Sequence, residues 1–351
     1  MVRRILNGTS TPLPKLNYDN TLLMRLIIQN NITAFIASNI HLFDELEELK
    51  PLLIKRAKKS LSKNLLLQSD LLKVIDLANE HNIPIILFKG HPVNEMIYGN
   101  NHERTSTDID ILIDVTNIEK LETLLLERNY VIDRPTFEMD PKEMEVFLTV
   151  DNEKSYFSPA KSKLDVHFKL FKNKYLIIPP NDDEISESFF FNRSILRFNN
   201  SYTLLYLMVH GKIHYWEKMM WLIDIAKLIQ KMSIEELEAG FALAQKNKLE
   251  NIFLGTLSLC NVIFESEIPE AFSNKIGNKQ AHYVMLALTS LAGKPNSKVS
   301  KWKQRVSMKP DLRYFFCQIS LFPVRDMNII KIPFAKRIFY PLLRPITYLM
   351  S

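Results

Sequence analysis

The stretch DIDILID, residues 108–114, constrains the fold most strongly because it alternates acidic and aliphatic side chains. Successive side chains of a β-strand point to opposite faces, so Asp108 and Asp110 share one face and the isoleucines share the other. The isoleucines predict that one face of this strand packs on a hydrophobic core. The two carboxylates on the other face repel each other, so we expect a cation between them.

The spacing of apolar residues divides the chain into a small α/β centre between helical regions. Apolar residues recur every three or four positions from residue 18 to about 80 and again from about 200. Between these segments, short apolar or alternating runs predict strands at IPIILF, DIDILID, YVIDR, KSYFSP and KLDVHFKL. We predict an α+β fold with four regions: N-terminal helices (1–80), a small mixed-sheet core (81–175), further helices (176–297) and a basic aromatic tail (298–351).

A turn formed by Lys89, Gly90 and His91 follows the apolar run IPIILF and precedes the acidic strand. Pro92 favours the start of a helix, so this segment predicts a strand, a tight turn and a helix N-terminus. Glycine lets the backbone approach a ligand closely, and the amides of the first helical turn favour an anion. The segment therefore predicts a phosphate-binding turn, with a simple structural turn as the alternative.

KLDVHFKL, residues 163–170, places Asp165 and His167 on one face of another strand. With Asp108 and Asp110, a third carboxylate from a neighbouring strand would complete a site for two divalent cations. Magnesium prefers oxygen ligands and is often held by carboxylates together with substrate phosphates. The alternative is the solvated face of an edge strand. Because it relieves carboxylate repulsion, Asp110→Ala should leave thermal stability unchanged or raise it.

HGKIHYWEKMMWLIDIA, residues 210–226, is predicted as one continuous helix. At about 100° per residue, five polar or aromatic side chains fall on one stripe within about 40° of its centre: His210, His214, Glu217, Trp221 and Asp224. Such a stripe is not typical of a core face. We expect a buried polar network that supports a site or, as the alternative, direct ligand contact in which Trp221 stacks on a base. The histidine spacing alone is weak evidence for a metal.

The positive charge of the chain is concentrated at its C-terminus. From Lys298 onward there are eleven Lys or Arg and two Asp, giving +9, so residues 1–297 carry −3 of the overall +6. Aromatic residues are interleaved with these cations. We predict a helical cap whose aromatic side chains pack inward and whose cations face water; contact with a nucleic acid or a membrane surface is the alternative.

The cysteine content and the length of the apolar runs indicate the cellular compartment in which we expect the protein. Cys260 and Cys317 lie in apolar segments without the spacing of a metal site or a disulfide framework, so we expect buried thiols. The first residues contain no apolar run typical of a signal peptide, and nowhere do about 18 uncharged apolar residues follow one another. The sequence therefore predicts a soluble, cytoplasmic protein.

Several of these segments together carry a family resemblance. The stretches IPIILFKGHPVNEMIYGNNHERTSTDIDILID, LDVHFKL and HGKIHYWEKMMWLIDIA resemble the motifs of the bacterial uncharacterised nucleotidyltransferases, within the polymerase-beta-like nucleotidyltransferase superfamily. The resemblance covers nearly the whole chain and is strongest over residues 83–226. One difference lies at the turn, where the superfamily usually has glycine followed by serine or glycine and this chain has Gly90-His91.

The resemblance implies a nucleotidyltransferase core within residues 81–175. It implies transfer of a nucleoside monophosphate from a nucleoside triphosphate, ATP by expectation, to a hydroxyl of a small molecule or protein. Asp108, Asp110 and Asp165 would bind Mg²⁺, with Mn²⁺ as a substitute, and Asp165 would receive the acceptor's proton. The implied nucleotide-binding residues are Lys89, Gly90, His91, Arg104, His210, His214, Trp221 and Asp224. Of these, Lys89 and Arg104 would add positive charge near the triphosphate.

Two other classes of protein stay open on the sequence. A glycosyltransferase could use the D-x-D motif to hold a nucleotide sugar through Mn²⁺, but it would usually place a parallel nucleotide-binding sheet before that motif. Helices precede the motif here. A binding or scaffold protein with a degenerate site is the other alternative, and the basic aromatic tail is its best support.

Overall fold

The computed structural model describes residues 1–8, 19–99, 102–137, 139–293, 297–322 and 324. The chain forms two compact units from non-consecutive segments. The helical unit comprises Met1–Gln68, Gly90–Thr107 and Phe198–Lys298, and the sheet unit comprises Ser69–Lys89, Asp108–Arg197 and the described residues from Val299 onward. The division into four regions stays a proposal, and residues 325–351 of the predicted tail lie outside the described residues.

Seven strands of the described chain join in one sheet: β1 Ile85–Ile86, β2 Ile109–Ile113, β3 Val131–Arg134, β4 Glu153–Phe157, β5 Lys163–His167, β6 Ile185–Phe190 and β7 Arg193–Phe198. Their order across the sheet is β3-β4-β5-β2-β1-β7-β6. β2 runs parallel to β5, whereas β4 runs antiparallel to both β3 and β5. This mixed sheet, flanked by helices, confirms the predicted α+β class.

The described helices are α1 Val2–Asn7, α2 Asn20–Gln29, α3 Thr33–Ser38, α4 Lys50–Glu80, α5 His91–Tyr98, α6 Ile118–Glu127, α7 Pro141–Val150, α8 Asn200–Ile213, α9 Met219–Lys231, α10 Ile234–Lys246, α11 Glu250–Phe264, α12 Glu270–Ser273, α13 Asn278–Leu291, α14 Lys298–Val306 and α15 Leu312–Ser320. In the helical unit, α8 packs against α9, α10 and α11. Among the described residues, no helix is long and apolar enough to cross a membrane.

β2 and β5 provide the backbone of the candidate site. They pair in parallel register, with Asp110 opposite Asp165 and Ile111 opposite Val166. Ile111 and Val166 are fully buried, as the alternation along DIDILID predicts for the core face. Because paired residues of adjacent strands project to the same face, Asp110 and Asp165 lie side by side on the other face.

Two local structures differ from the sequence predictions. The segment 176–297, predicted as helical, begins with β6 and β7, which are joined by a two-residue turn. Phe191 and Asn192 occupy that turn at φ 47° and 60°, a conformation that glycine usually supplies, so the sequence gives no ordinary hairpin signal.

The predicted continuous helix 210–226 is also wrong, because α8 ends at Ile213 and α9 begins at Met219. Tyr215 and Trp216 between them adopt φ 57° and 56°. A Cβ atom at Gly211 would lie 2.2 Å from a ring carbon of Trp216, so the indole folds back into space that only glycine leaves open. The buried indole and the two left-handed residues end the helix at this point.

Candidate active site

Three carboxylates converge on one face of the sheet unit. Asp110 projects from β2, Asp165 from β5, and Asp108 directly precedes β2. One oxygen of each carboxylate lies within 4.8 Å of the others. Asp110 and Asp165 are buried, and Asp108 is half-buried. Neighbouring parallel strands in register thus create a compact acidic cluster, which we call the carboxylate triad.

Two lysines compensate part of the triad's charge. The Lys89 ammonium lies 2.7 Å from Asp110 Oδ1, and the Lys163 ammonium lies 2.9 Å from a carboxylate oxygen of Asp165. Burial alone would raise the pKa of Asp110, but the Lys89 charge and the His167 hydrogen bond outweigh it and hold that pKa well below its usual range. Burial opposes the charge of Lys163, yet the neighbouring carboxylates raise its pKa above the ordinary value.

Hydrogen bonds fix the orientation of both buried carboxylates. Ser155 Oγ donates to Asp165 Oδ1 at 2.5 Å, and His167 Nε2 donates to Asp110 Oδ1 at 2.9 Å. The other ring nitrogen of His167 lies 3.1 Å from the amide nitrogen of Asn152. Glu153 Oε2 also faces this nitrogen, at 3.3 Å. Because the Asp110 carboxylate can only accept, His167 carries a proton on Nε2 in this contact.

The sequence places His167 on the same strand face as Asp165, but the contact of His167 with Asp110 was not predicted. Lys163 could have been found in the same way, because it precedes Asp165 by two residues and therefore shares its face of the strand. Ser155 could not, since it reaches Asp165 through the antiparallel register of β4 and β5. Asn152 directly precedes β4 and likewise reaches His167 through that pairing.

The residues of the triad suit a hard divalent cation. All three offer carboxylate oxygens, the ligands preferred by Mg²⁺ and Mn²⁺, and these oxygens converge within 4.8 Å. Thiolate and imidazole ligands, which favour softer metals, do not belong to the group. The triad can therefore hold a divalent metal ion.

The turn at Gly90 is built as the sequence predicts, with one difference. Gly90 precedes α5 with φ 74° and ψ −142°, a conformation that favours glycine, and Pro92 lies in the first turn of the helix. His91 is buried, and its Nε2 donates to the main-chain carbonyl of Asn64 at 3.0 Å. Burial lowers the pKa of His91. The imidazole thus binds protein backbone.

Arg104 and Asp224 form a buried ion pair within the helical unit. Arg104 Nε lies 3.0 Å and 2.8 Å from the two carboxylate oxygens of Asp224, and Tyr98 donates to the same carboxylate at 2.6 Å. Burial raises the pKa of Asp224, although Arg104 acts in the opposite direction. Because Arg104 precedes Asp108 by four residues, the pair anchors the segment that leads into the acidic strand.

His210, His214 and Trp221 form an aromatic cluster despite the break between α8 and α9. The ring centroids of His210 and His214 are 4.6 Å apart, and Trp221 lies 5.5 Å and 5.3 Å from them. His214 is exposed, while the other two rings are half-buried. The predicted stripe thus separates into this ring cluster and the Asp224 network, and Glu217 is exposed in the connection between the helices.

Comparisons with known proteins assign the class of this chain. The family model described as "Uncharacterised nucleotidyltransferase" matches residues 17–265. Among solved structures, the chain is similar to the antibiotic-resistance factor ANT(2'')-Ia at 13% identity and a TM-score of 0.39. That similarity covers 52% of this chain and 93% of the other. No curated protein matches the chain.

The family match defines an enzyme of the nucleotidyltransferase class. The match over residues 17–265 assigns it more closely: the chain belongs to the family of uncharacterised nucleotidyltransferases. The family implies a nucleotide substrate and transfer of a nucleoside monophosphate.

Proposed function

We propose that this protein transfers a nucleoside monophosphate from a nucleoside triphosphate, ATP in the first instance, to a hydroxyl acceptor. Magnesium would be held by the carboxylates of Asp108, Asp110 and Asp165, with Mn²⁺ as a substitute. The convergence of one oxygen from each carboxylate within 4.8 Å carries this proposal. When bound, the metal would neutralise phosphate charge and help to position the triphosphate.

The reaction balances as an in-line displacement at the α-phosphorus. The acceptor oxygen forms a bond to the α-phosphorus, and the bond between that phosphorus and the bridging oxygen to the β-phosphate breaks. Pyrophosphate leaves with the bonding electron pair. Asp165 receives the proton of the acceptor hydroxyl, and Ser155 and Lys163 hold its carboxylate in place.

Lys89 supports the proposed position of the triphosphate. Its ammonium group lies 2.7 Å from Asp110, so a phosphate bound beside that carboxylate would meet a cation already in place. A metal ion bound by the triad must share Asp110 with Lys89 and Asp165 with Lys163. We therefore propose that Lys89 moves its hydrogen bond from the carboxylate to a phosphate oxygen when the nucleotide binds.

The other nucleotide-binding assignments remain proposals. For Gly90 and Arg104 the proposed partner is the triphosphate, and for Trp221 it is the base. His91, His210, His214 and Asp224 would support these contacts. The hydrogen bond of His91 to a main-chain carbonyl and the ion pair of Asp224 with Arg104 favour positioning roles for these two residues.

Following the α- and the γ-phosphate of each nucleotide separately tests the proposal. The protein is incubated with Mg²⁺, a cell extract and a nucleoside triphosphate labelled at either the α- or the γ-phosphate. We expect an acceptor to gain the α-label and the γ-label to appear in pyrophosphate. Transfer of the γ-label to an acceptor would instead identify a kinase, and labelling that persists after metal chelation would contradict the role of the triad.

A further inference from the structure

The helices α14 and α15 expose apolar side chains at helical spacing. Val299 and Trp302 on α14 are 62% and 52% exposed. Leu312, Phe315 and Phe316 on α15 are 75%, 37% and 49% exposed. Residues three or four positions apart share one face of a helix, so each helix presents an apolar stripe to its surroundings. The inward packing predicted for the tail's aromatic side chains is therefore wrong for Trp302 and for these two phenylalanines.

Other side chains hold this segment on the sheet unit. Tyr314 is buried, and its hydroxyl donates to the carbonyl of Arg305 at 2.5 Å. Asn173 donates to the carbonyl of Tyr314 at 3.0 Å, and the buried Lys309 ammonium donates to the carbonyl of Tyr175 at 2.5 Å. Tyr314 lies about 160° around α15 from Leu312, so the anchoring face and the exposed stripe are opposite sides of the helix.

The charge of this segment is predominantly positive. Residues 298–322 contain six cations and one acid, a net charge of +5: Lys298, Lys301, Lys303, Arg305, Lys309 and Arg313 against Asp311. Lys309 is buried, whereas four of the cations are exposed: Lys298, Lys303, Arg305 and Arg313. The acid caps α15, where its carboxylate accepts from the amide of Tyr314 at 3.1 Å. Residues 323–351 contain five Lys or Arg and one Asp, a net charge of +4. Because both segments are cationic, a complementary partner for α14 and α15 is anionic.

We propose that α14 and α15 bind the surface of an anionic lipid bilayer, with their exposed apolar side chains entering the headgroup boundary. Exposed aliphatic side chains such as Val299 and Leu312 favour lipid over nucleic acid, because nucleic acids are bound by cations together with stacking aromatic rings. Cations beside apolar side chains match the combination that holds interfacial helices on phospholipids. The inference is independent of the proposed transfer reaction.

Sedimentation of the full chain with vesicles tests this proposal. We expect binding to vesicles of phosphatidylcholine mixed with phosphatidylglycerol and not to vesicles of phosphatidylcholine alone. The double variant Trp302→Ser, Leu312→Ser should have an affinity for anionic vesicles lower than that of the parent by on the order of tenfold or more, because two apolar anchors are removed. The matched control is Leu126→Ser on α6, which removes a 44% exposed leucine of the same unit and should bind normally.

Two further measurements separate the outcomes. Tryptophan emission should shift to shorter wavelength with anionic vesicles, and the shift should disappear in Trp302→Phe. Equal binding to both kinds of vesicle, or none to either, would overturn the proposal. Binding to single-stranded RNA in place of vesicles, or vesicle binding that the double variant retains in full, would also overturn it, since the apolar stripe would then have no part in lipid contact.

Discussion

At the scale of single residues, the three acids of the triad are held by specific partners. Asp110 Oδ1 accepts hydrogen bonds from both Lys89 and His167, and Asp165 accepts from Ser155 and Lys163. Repulsion between carboxylates, on which the sequence-based stability prediction rested, is therefore opposed by neighbouring cations and donors.

We expect Asp110→Ala to lower stability, by about 1–3 kcal/mol, because it removes a buried acceptor to which both His167 and Lys89 donate. Urea unfolding measures this change. Asp182→Ala is the control for loss of one carboxylate, since Asp182 is an exposed residue of the same unit. A variant that is more stable than the parent would show that carboxylate repulsion dominates after all.

His167 should orient the metal ligand Asp110. Replacing it with leucine removes the donor to Asp110, and partners of ligating carboxylates typically contribute about tenfold or more in metal affinity. Titration calorimetry with Mn²⁺ should show this loss in His167→Leu and partial recovery in His167→Gln, which keeps a donor. His282→Gln, an exposed histidine on α13, serves as the control. Unchanged affinity in His167→Leu would contradict this role.

At the scale of secondary-structure elements, the sequence predicts those whose pattern is local. β2, β5 and α4 follow from alternation or helical spacing. The break between α8 and α9 does not, because it depends on how one tryptophan ring packs against one glycine. The residues of the site differ in the same way. The sequence predicts its acids from the motifs D-x-D and L-D-V-H, whereas the contact of Ser155 with Asp165 depends on the register between β4 and β5.

Gly211→Ala tests the packing that ends α8. The new methyl group would lie 2.2 Å from the Trp216 ring, so we expect a loss of about 1–3 kcal/mol in the free energy of unfolding. Gly277→Ala is the matched control, because a Cβ there meets nothing within 4 Å. The penalty should shrink when Trp216→Leu is also present. Equal stability of the two alanine variants would contradict the close contact.

Asp70 connects α4 to the turn between β4 and β5. Its carboxylate accepts from Ser158 at 2.7 Å and from Lys73 at 2.8 Å. Burial would raise the pKa of Asp70, but these hydrogen bonds outweigh it and lower that pKa below its ordinary value. A depressed folded-state pKa contributes stability that is present above the unfolded pKa, about 3.9, and is lost as the pH falls through the folded value.

We therefore expect the stability advantage of the parent over Asp70→Asn to be constant near neutral pH and to shrink as the pH falls below about 4. Thermal unfolding of both proteins across the acidic range measures it. An advantage that grows on acidification would mean that the folded state binds the proton more tightly than the unfolded chain, opposite to the hydrogen bonding seen here.

For the molecule as a whole, the family match establishes the class of reaction, and we propose the metal-dependent chemistry from the residues of the site. The match over residues 17–265 assigns the family, and the mixed sheet brings acids from positions 108 and 165 together. The acceptor is not visible in the sequence, because no motif of the chain marks a particular hydroxyl compound. The side chains that recognise the acceptor contact it only in the complex of the folded enzyme with its substrates.

We propose that three carboxylates act together in metal-dependent nucleotidyl transfer. The decisive measurement is pyrophosphate release with Mg²⁺, ATP and an acceptor found by the labelling experiment, in Asp108→Asn, Asp110→Asn and Asp165→Asn, with Asp114→Asn as the matched control. We predict that each triad variant loses at least about a hundredfold in rate, since each removes a charge that positions the metal, while the control keeps its activity. Pyrophosphate release at the parental rate in any one of the three triad variants would contradict the joint action of the three carboxylates.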